Sequence, residues 1–129
     1  MANPMYGQNV ADDKVAVATD KDVFVKEYTA SAAMGSDSGK VRHIELNHTS
    51  TVIAMTGING ADYAGQIVSV KDTSASGTAA HTVTLASGTF NGSNTVITLN
   101  APDECIVVMF DSAGDGTVLA NVGSVALSS

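Results

Sequence analysis

The chain has 129 residues, room for one domain and scarcely for two. It is 44% hydrophobic but has no tryptophan and only 5% aromatic residues, so its core must be built from Val, Ile, Leu, Ala and Met. Six Lys and Arg stand against thirteen Asp and Glu, a net charge of -7, which excludes the basic footprint of a nucleic-acid-binding surface.

The single cysteine, Cys105, excludes an internal disulfide. Its place beside the apolar run Ile106-Val107-Val108 predicts a buried thiol. The longest apolar stretch is too short for a bilayer, so no membrane partner is expected. The opening MANPMYGQNVADDK carries neither a basic nor an apolar leader region, and assembly in a reducing cytoplasm is the expectation. On such a route the two glycosylation sequons, at Asn47 and Asn91, carry no meaning.

Residues 1 to 20 are polar, hold no period and include Pro4, Gly7 and three aspartates. They read as an extended arm that orders only on docking. KDVFVKEY alternates and predicts a first strand. The small-residue stretch after it allows a short helical turn over Ser31 to Met34, ended by Gly35. KVRHIEL has the impure alternation of a strand near a sheet edge, and STVIAMTG is a continuous apolar run that predicts a buried strand. Asn59-Gly60 and Gly65 mark turns. QIVSVKD alternates again, and TSASGTAA is a loop. HTVTLA, the Asn91-Gly92 turn, NTVITLN and ECIVVMF follow as strand, turn, strand and strand. DSAGDG closes a turn, and TVLANVGSVAL supplies one or two last strands.

The spacing matches that of sandwiches and barrels. The expected fold is all-β: a compact antiparallel β-sandwich or partly open barrel of about eight strands with an extended N-terminal arm. Residues 1–20 form the arm and 21–129 a single β domain. Thr-Val recurs at 51, 82, 95 and 117, at intervals too irregular for a solenoid repeat.

Candidate chemistry is sparse. His43, His48 and His81 lack the carboxylate or thiolate frame of a metal site. DSAGDG echoes a calcium loop, but Ala113 and Val122 stand where oxygen ligands belong, so a tight turn explains it better. GSDSG at 35–39 centres on Asp37, where a nucleophile elbow needs serine. Gly114 and Gly116 run into Leu119 where a third glycine would complete a phosphate loop. Asp12-Asp13 and Asp103-Glu104 are adjacent in sequence, and neighbours on a strand point to opposite faces. A non-enzymatic protein with no cofactor is expected.

From Gly57 to Leu127 the chain resembles a module of tailed-phage virion proteins, especially those of marine viruses. The resemblance lies in a Gly-Gln-x-Val-x-Val strand, a Ser/Gly loop, HTVTL, the GTFNGSNTVITLNAPDE hairpin, an apolar strand and a closing NVGSVAL. Upstream, TASAAMGSDSGKVRHIEL is similar to the strand entry in the same proteins, and MANPMYGQN resembles the start of small phage head proteins. The resemblance implies a virion component. One small domain with a short arm points within that group to a capsid decoration, or cement, protein. The major capsid protein would be its partner, a homotrimer its assembly and the capsid surface its location. Pro4, Met5 and Tyr6 would be the arm's capsid contacts: a fixed φ, a flexible apolar chain and an amphipathic ring. A tail, fibre or knob component, with host-surface binding, is the alternative. A carbohydrate-binding module is disfavoured by the missing tryptophan.

Overall fold

The computed structural model describes residues 24–77 and 79–129. The arm expected over residues 1–20, with Pro4, Met5 and Tyr6, lies outside the described residues. Ten strands are formed: β1 Val25–Tyr28, β2 Ala32–Ala33, β3 His43–Leu46, β4 Ala54–Asn59, β5 Ile67–Asp72, β6 His81–Ser87, β7 Val96–Leu99, β8 Cys105–Phe110, β9 Gly116–Val122 and β10 Ala126–Ser128. They make two five-stranded sheets, ordered β1-β3-β5-β8-β9 and β10-β7-β6-β4-β2.

The all-β reading holds, as two sheets rather than a partly open barrel, with two corrections. Ten strands replace about eight, because β2 and β10 are too short to show an alternation. The sheets are also mixed rather than antiparallel. From β1 to β6 the chain crosses to the other sheet after every strand, so each returning strand runs parallel to its predecessor. Val25 pairs with His43 and His43 with Ser69, while Ala32 pairs with Met55 and Ala54 with Thr82. The coils differ in length, which is why a solenoid-like winding leaves no period in the sequence. Antiparallel hairpins appear where consecutive strands stay in one sheet, at β6–β7 and β8–β9.

Period-2 alternation places the core. Ile44, Leu46, Val68, Val70, Ile106, Val108 and Phe110 of the first sheet meet Met55, Ile58, Val83, Leu85, Ile97 and Leu99 of the second in one buried cluster. Contrary to the core of Val, Ile, Leu, Ala and Met expected from composition, the few aromatic residues are concentrated inside: Phe110 lies between Tyr63 and Phe90, with centroids 5.7 and 6.2 Å away. Two local expectations are corrected. Ala32–Ala33 is a strand and the helical turn is a 3-10 turn at Gly35–Asp37, because Met34 N–H donates to Thr56 C=O at 2.8 Å and ties the segment to β4. STVIAMTG is half-buried: Val52 is exposed, and β4 begins only at Ala54. KVRHIEL lies near a sheet edge as expected, one strand in, with β1 outside it.

Where β4, β6 and β8 end, three loops meet backbone to backbone. A Cβ on Gly60 would lie 1.9 Å from Gly114 O, and one on Gly88 would lie 2.2 Å from the same oxygen. Any side chain there would force these loops apart.

Both described tyrosines are held neutral. Tyr63 O–H donates to Val41 C=O at 2.6 Å, and burial raises its pKa. Tyr28 is raised further, by burial and by donating to Asp37 Oδ2 at 2.9 Å. The stability they contribute is complete below a tyrosine's usual pKa of about 10 and is lost as pH rises beyond it. Titration of a Tyr6→Phe variant, followed at 295 nm, should therefore show both remaining phenols ionising together with unfolding. Smooth ionisation near pH ~10 in the folded protein would contradict this.

Candidate interaction surface

The polar side chains that suggested chemistry are engaged in holding backbone. His81 is fully buried at the start of β6. Ile53 N–H donates to its Nδ1 at 3.0 Å, so in the neutral ring the proton sits on Nε2. Nε2 lies 3.3 Å from Ser74 Oγ and 4.0 Å from Asp72 Oδ1. Ser74 Oγ in turn donates to His48 C=O and accepts His48 N–H, both at 3.1 Å. The trio has the composition of a hydrolase triad but the opposite proton direction. A nucleophilic serine hands its proton to histidine, whereas here histidine donates toward serine and the hydroxyl proton is committed to a carbonyl. The cluster joins the top of both sheets to the 47–53 loop. His48 itself caps that loop, its Nδ1 accepting from Ser50 and Thr51 N–H at 3.2 and 2.9 Å.

The carboxylates behave likewise. Asp103 and Glu104 do diverge, Asp103 outward and Glu104 inward. Glu104 accepts N–H groups of Asn100 at 2.7 Å, Ala101 at 3.3 Å and Ser124 at 2.9 Å, pinning two loops together. In DSAGDG, Asp111 Oδ1 accepts from Ala113 and Asp115 N–H, and Asp115 Oδ1 accepts from Thr89. The carboxylates therefore build the turn that the sequence favoured over a calcium loop.

Cys105 corrects an expectation. It is half-buried on the outer face of the first sheet rather than in the core, because Ile106 and Val108 take the inward phase. Burial pushes its thiol pKa up, opposed by the positive charge of Lys71, which keeps it protonated and a poor nucleophile.

That outer face is the most distinctive surface of the domain. Register aligns its side chains in rows across the sheet: Ile67 beside Met109, His43 beside Ser69, Val107 and Ala120, and Glu27 beside Glu45, Lys71, Cys105 and Val122. The half over β8, β9 and the start of β5 is apolar, with Ile67 53%, Met109 45%, Leu119 53% and Val122 59% exposed. The half over β1 and β3 is polar apart from Val25. There His43 Nδ1 meets Ser69 Oγ at 2.5 Å and His43 Nε2 lies 3.8 Å from Glu45 Oε2. Ser69 N–H is committed to Arg42 C=O at 2.8 Å, so the serine's own amide is part of the sheet.

Sequence reading missed His81 as a buried hub, though its phase with Val83 and Leu85 was the signal. It also missed the two-halved outer face, which no single strand displays. No protein-family model, no curated protein and no solved structure matches this chain.

Proposed function

We propose that this protein is a capsid decoration, or cement, protein of a tailed phage. It binds the outer surface of the head, contacts the major capsid protein and stabilises the shell across capsomer junctions without performing chemistry. The proposed assembly is a homotrimer on the virion surface, formed in the host cytoplasm. The reading rests on the resemblance over Gly57 to Leu127. The observation that supports it is the outer face of the first sheet, where Ile67, Met109, Leu119 and Val122 stand exposed together. A rigid two-sheet body with such a face suits packing against protein, and many copies on one particle let each contact be weak. The buried polar clusters hold loops, as a clamp requires.

The test is the stoichiometry of this chain in purified particles, before and after deletion of residues 1–20. A copy number near that of the major capsid protein, falling sharply on deletion, is expected for a cement protein held by Pro4, Met5 and Tyr6. A high number that survives deletion keeps the capsid assignment and removes those contacts. A handful of copies would move the protein to the tail, as a fibre or knob component.

A further inference from the structure

The two edges of the first sheet are treated differently. The β9 edge is guarded along its length. Gly116 N–H donates to Thr89 C=O at 2.7 Å, Asn91 N–H donates to Gly116 C=O at 2.8 Å, and Val118 N–H donates to Asn91 Oδ1 at 3.0 Å. A bulge at Leu119 then breaks the register opposite Val107 and Val108. Beyond it the Asn121 side chain clasps Val125 N–H and C=O, at 3.2 and 2.9 Å. These are the devices by which proteins prevent unwanted strand pairing.

The β1 edge has none of them among the described residues. Phe24 and Tyr28 carbonyls accept from Arg42 and Asn47 N–H, at 2.8 and 3.0 Å. The even-numbered residues of β1 therefore face β3, and the N–H and C=O groups of Val25 and Glu27 point away from the sheet. Val25 is 48% exposed. In the adjoining row Glu27 lies beside Glu45, a like-charge pair that costs stability. The lysine of that row, Lys71, stands beyond Glu45 and lies 3.6 Å from Asp103. Among the described residues the edge thus ends in unpaired backbone, with an apolar side chain and, two residues along, a carboxylate whose side-chain donor is the neutral amide of Asn47, at 3.0 Å, and which no cation there balances.

We infer that the open edge of β1 accepts an extended segment of a protein partner as an added strand. That segment carries an apolar residue facing Val25 and, two positions along, a lysine or arginine facing Glu27. Main-chain bonds to Val25 and Glu27 supply the affinity, and the alternate side chains supply the selectivity. The inference extends the capsid reading by naming how a partner is gripped, but it rests on the edge geometry alone. A low copy number in particles would overturn the capsid reading and leave this one standing.

The experiment uses the full chain and an eight-residue peptide in which threonine alternates with valine and lysine in turn, with glutamate replacing lysine in a second peptide. Binding is read by amide chemical shifts. The lysine peptide should perturb Val25 and Glu27 and bind about fivefold more tightly than the glutamate peptide. Glu27→Lys should reverse that preference. Glu27→Pro should abolish binding of both, since it removes an N–H that the fold does not use. Loss of lysine preference, indifference to Glu27→Lys, or perturbations that map elsewhere would each overturn the inference. So would slow exchange of the Val25 and Glu27 amides in the free protein. Protection independent of concentration would show the chain's own residues on the edge, and protection growing with concentration would show a second copy.

Discussion

Gly60→Ala is expected to cost about 4 kcal/mol, beyond the roughly 1–3 kcal/mol usual for overpacking and enough to lower Tm by about 15 °C. The added Cβ would stand 1.9 Å from Gly114 O, which is backbone and has no rotamer through which to escape. Relief would require the 111–115 loop to lift. That loop is held by Asp111 Oδ1 on Ala113 and Asp115 N–H and by Asp115 on Thr89, so the strain spreads into the β6–β7 hairpin. Gly65→Ala is the informative control. Gly65 has φ +75°, a conformation that L side chains resist, yet nothing lies within 4 Å of its Cβ position. Its cost should be about 1 kcal/mol. Urea denaturation of both variants tests the contrast. Equal costs, or a larger one at Gly65, would mean that the three loops do not meet as tightly as described.

His81→Ala is expected to cost about 3 kcal/mol, combining a lost buried acceptor with a cavity. Ile53 N–H would lose the Nδ1 it donates to at 3.0 Å, and Asp72 and Ser74 would lose their ring neighbour. His81→Asn places an amide oxygen close to the former Nδ1 and should recover about 1 kcal/mol of that loss. Amide exchange at Ile53 reads the mechanism directly: fast in the alanine variant, slower in the asparagine variant. If asparagine recovers nothing, the ring acts through its volume and the hydrogen bond to Ile53 is incidental.

Much of the fold was legible because one face of each strand is buried. QIVSVKD, HTVTLA and NTVITLN alternate in phase with the core, and each forms a strand where expected, as does the apolar run ECIVVMF. DSAGDG was legible as a turn because its aspartates are local backbone acceptors. The short strands were not legible. Ala32–Ala33 is defined by pairing with Met55 and Thr56, not by any propensity of its own. The Cys105 thiol was misplaced because a run of apolar residues does not reveal its phase. The candidate surface was hardly legible at all, because Glu27, Glu45, Ile67, Met109 and Val122 come from five different strands and become neighbours only through register.

The sequence by itself determined an all-β domain, the Val, Ile and Leu that make up most of its core, the places of the long strands and turns, and an acidic surface. Those properties follow from composition and period, which act over a few residues. Tertiary structure alone decided the crossing between sheets that makes the pairing mixed, because direction depends on where the chain goes between strands. It also decided which glycines are steric rather than conformational. Gly60 reads as a turn former, yet its essential property is the 1.9 Å that separates a would-be Cβ from a loop more than fifty residues away. In the same way it guarded the β9 edge with a hairpin tip distant in sequence and left the β1 edge without such guards among the described residues, since an edge exists only once the sheet is assembled.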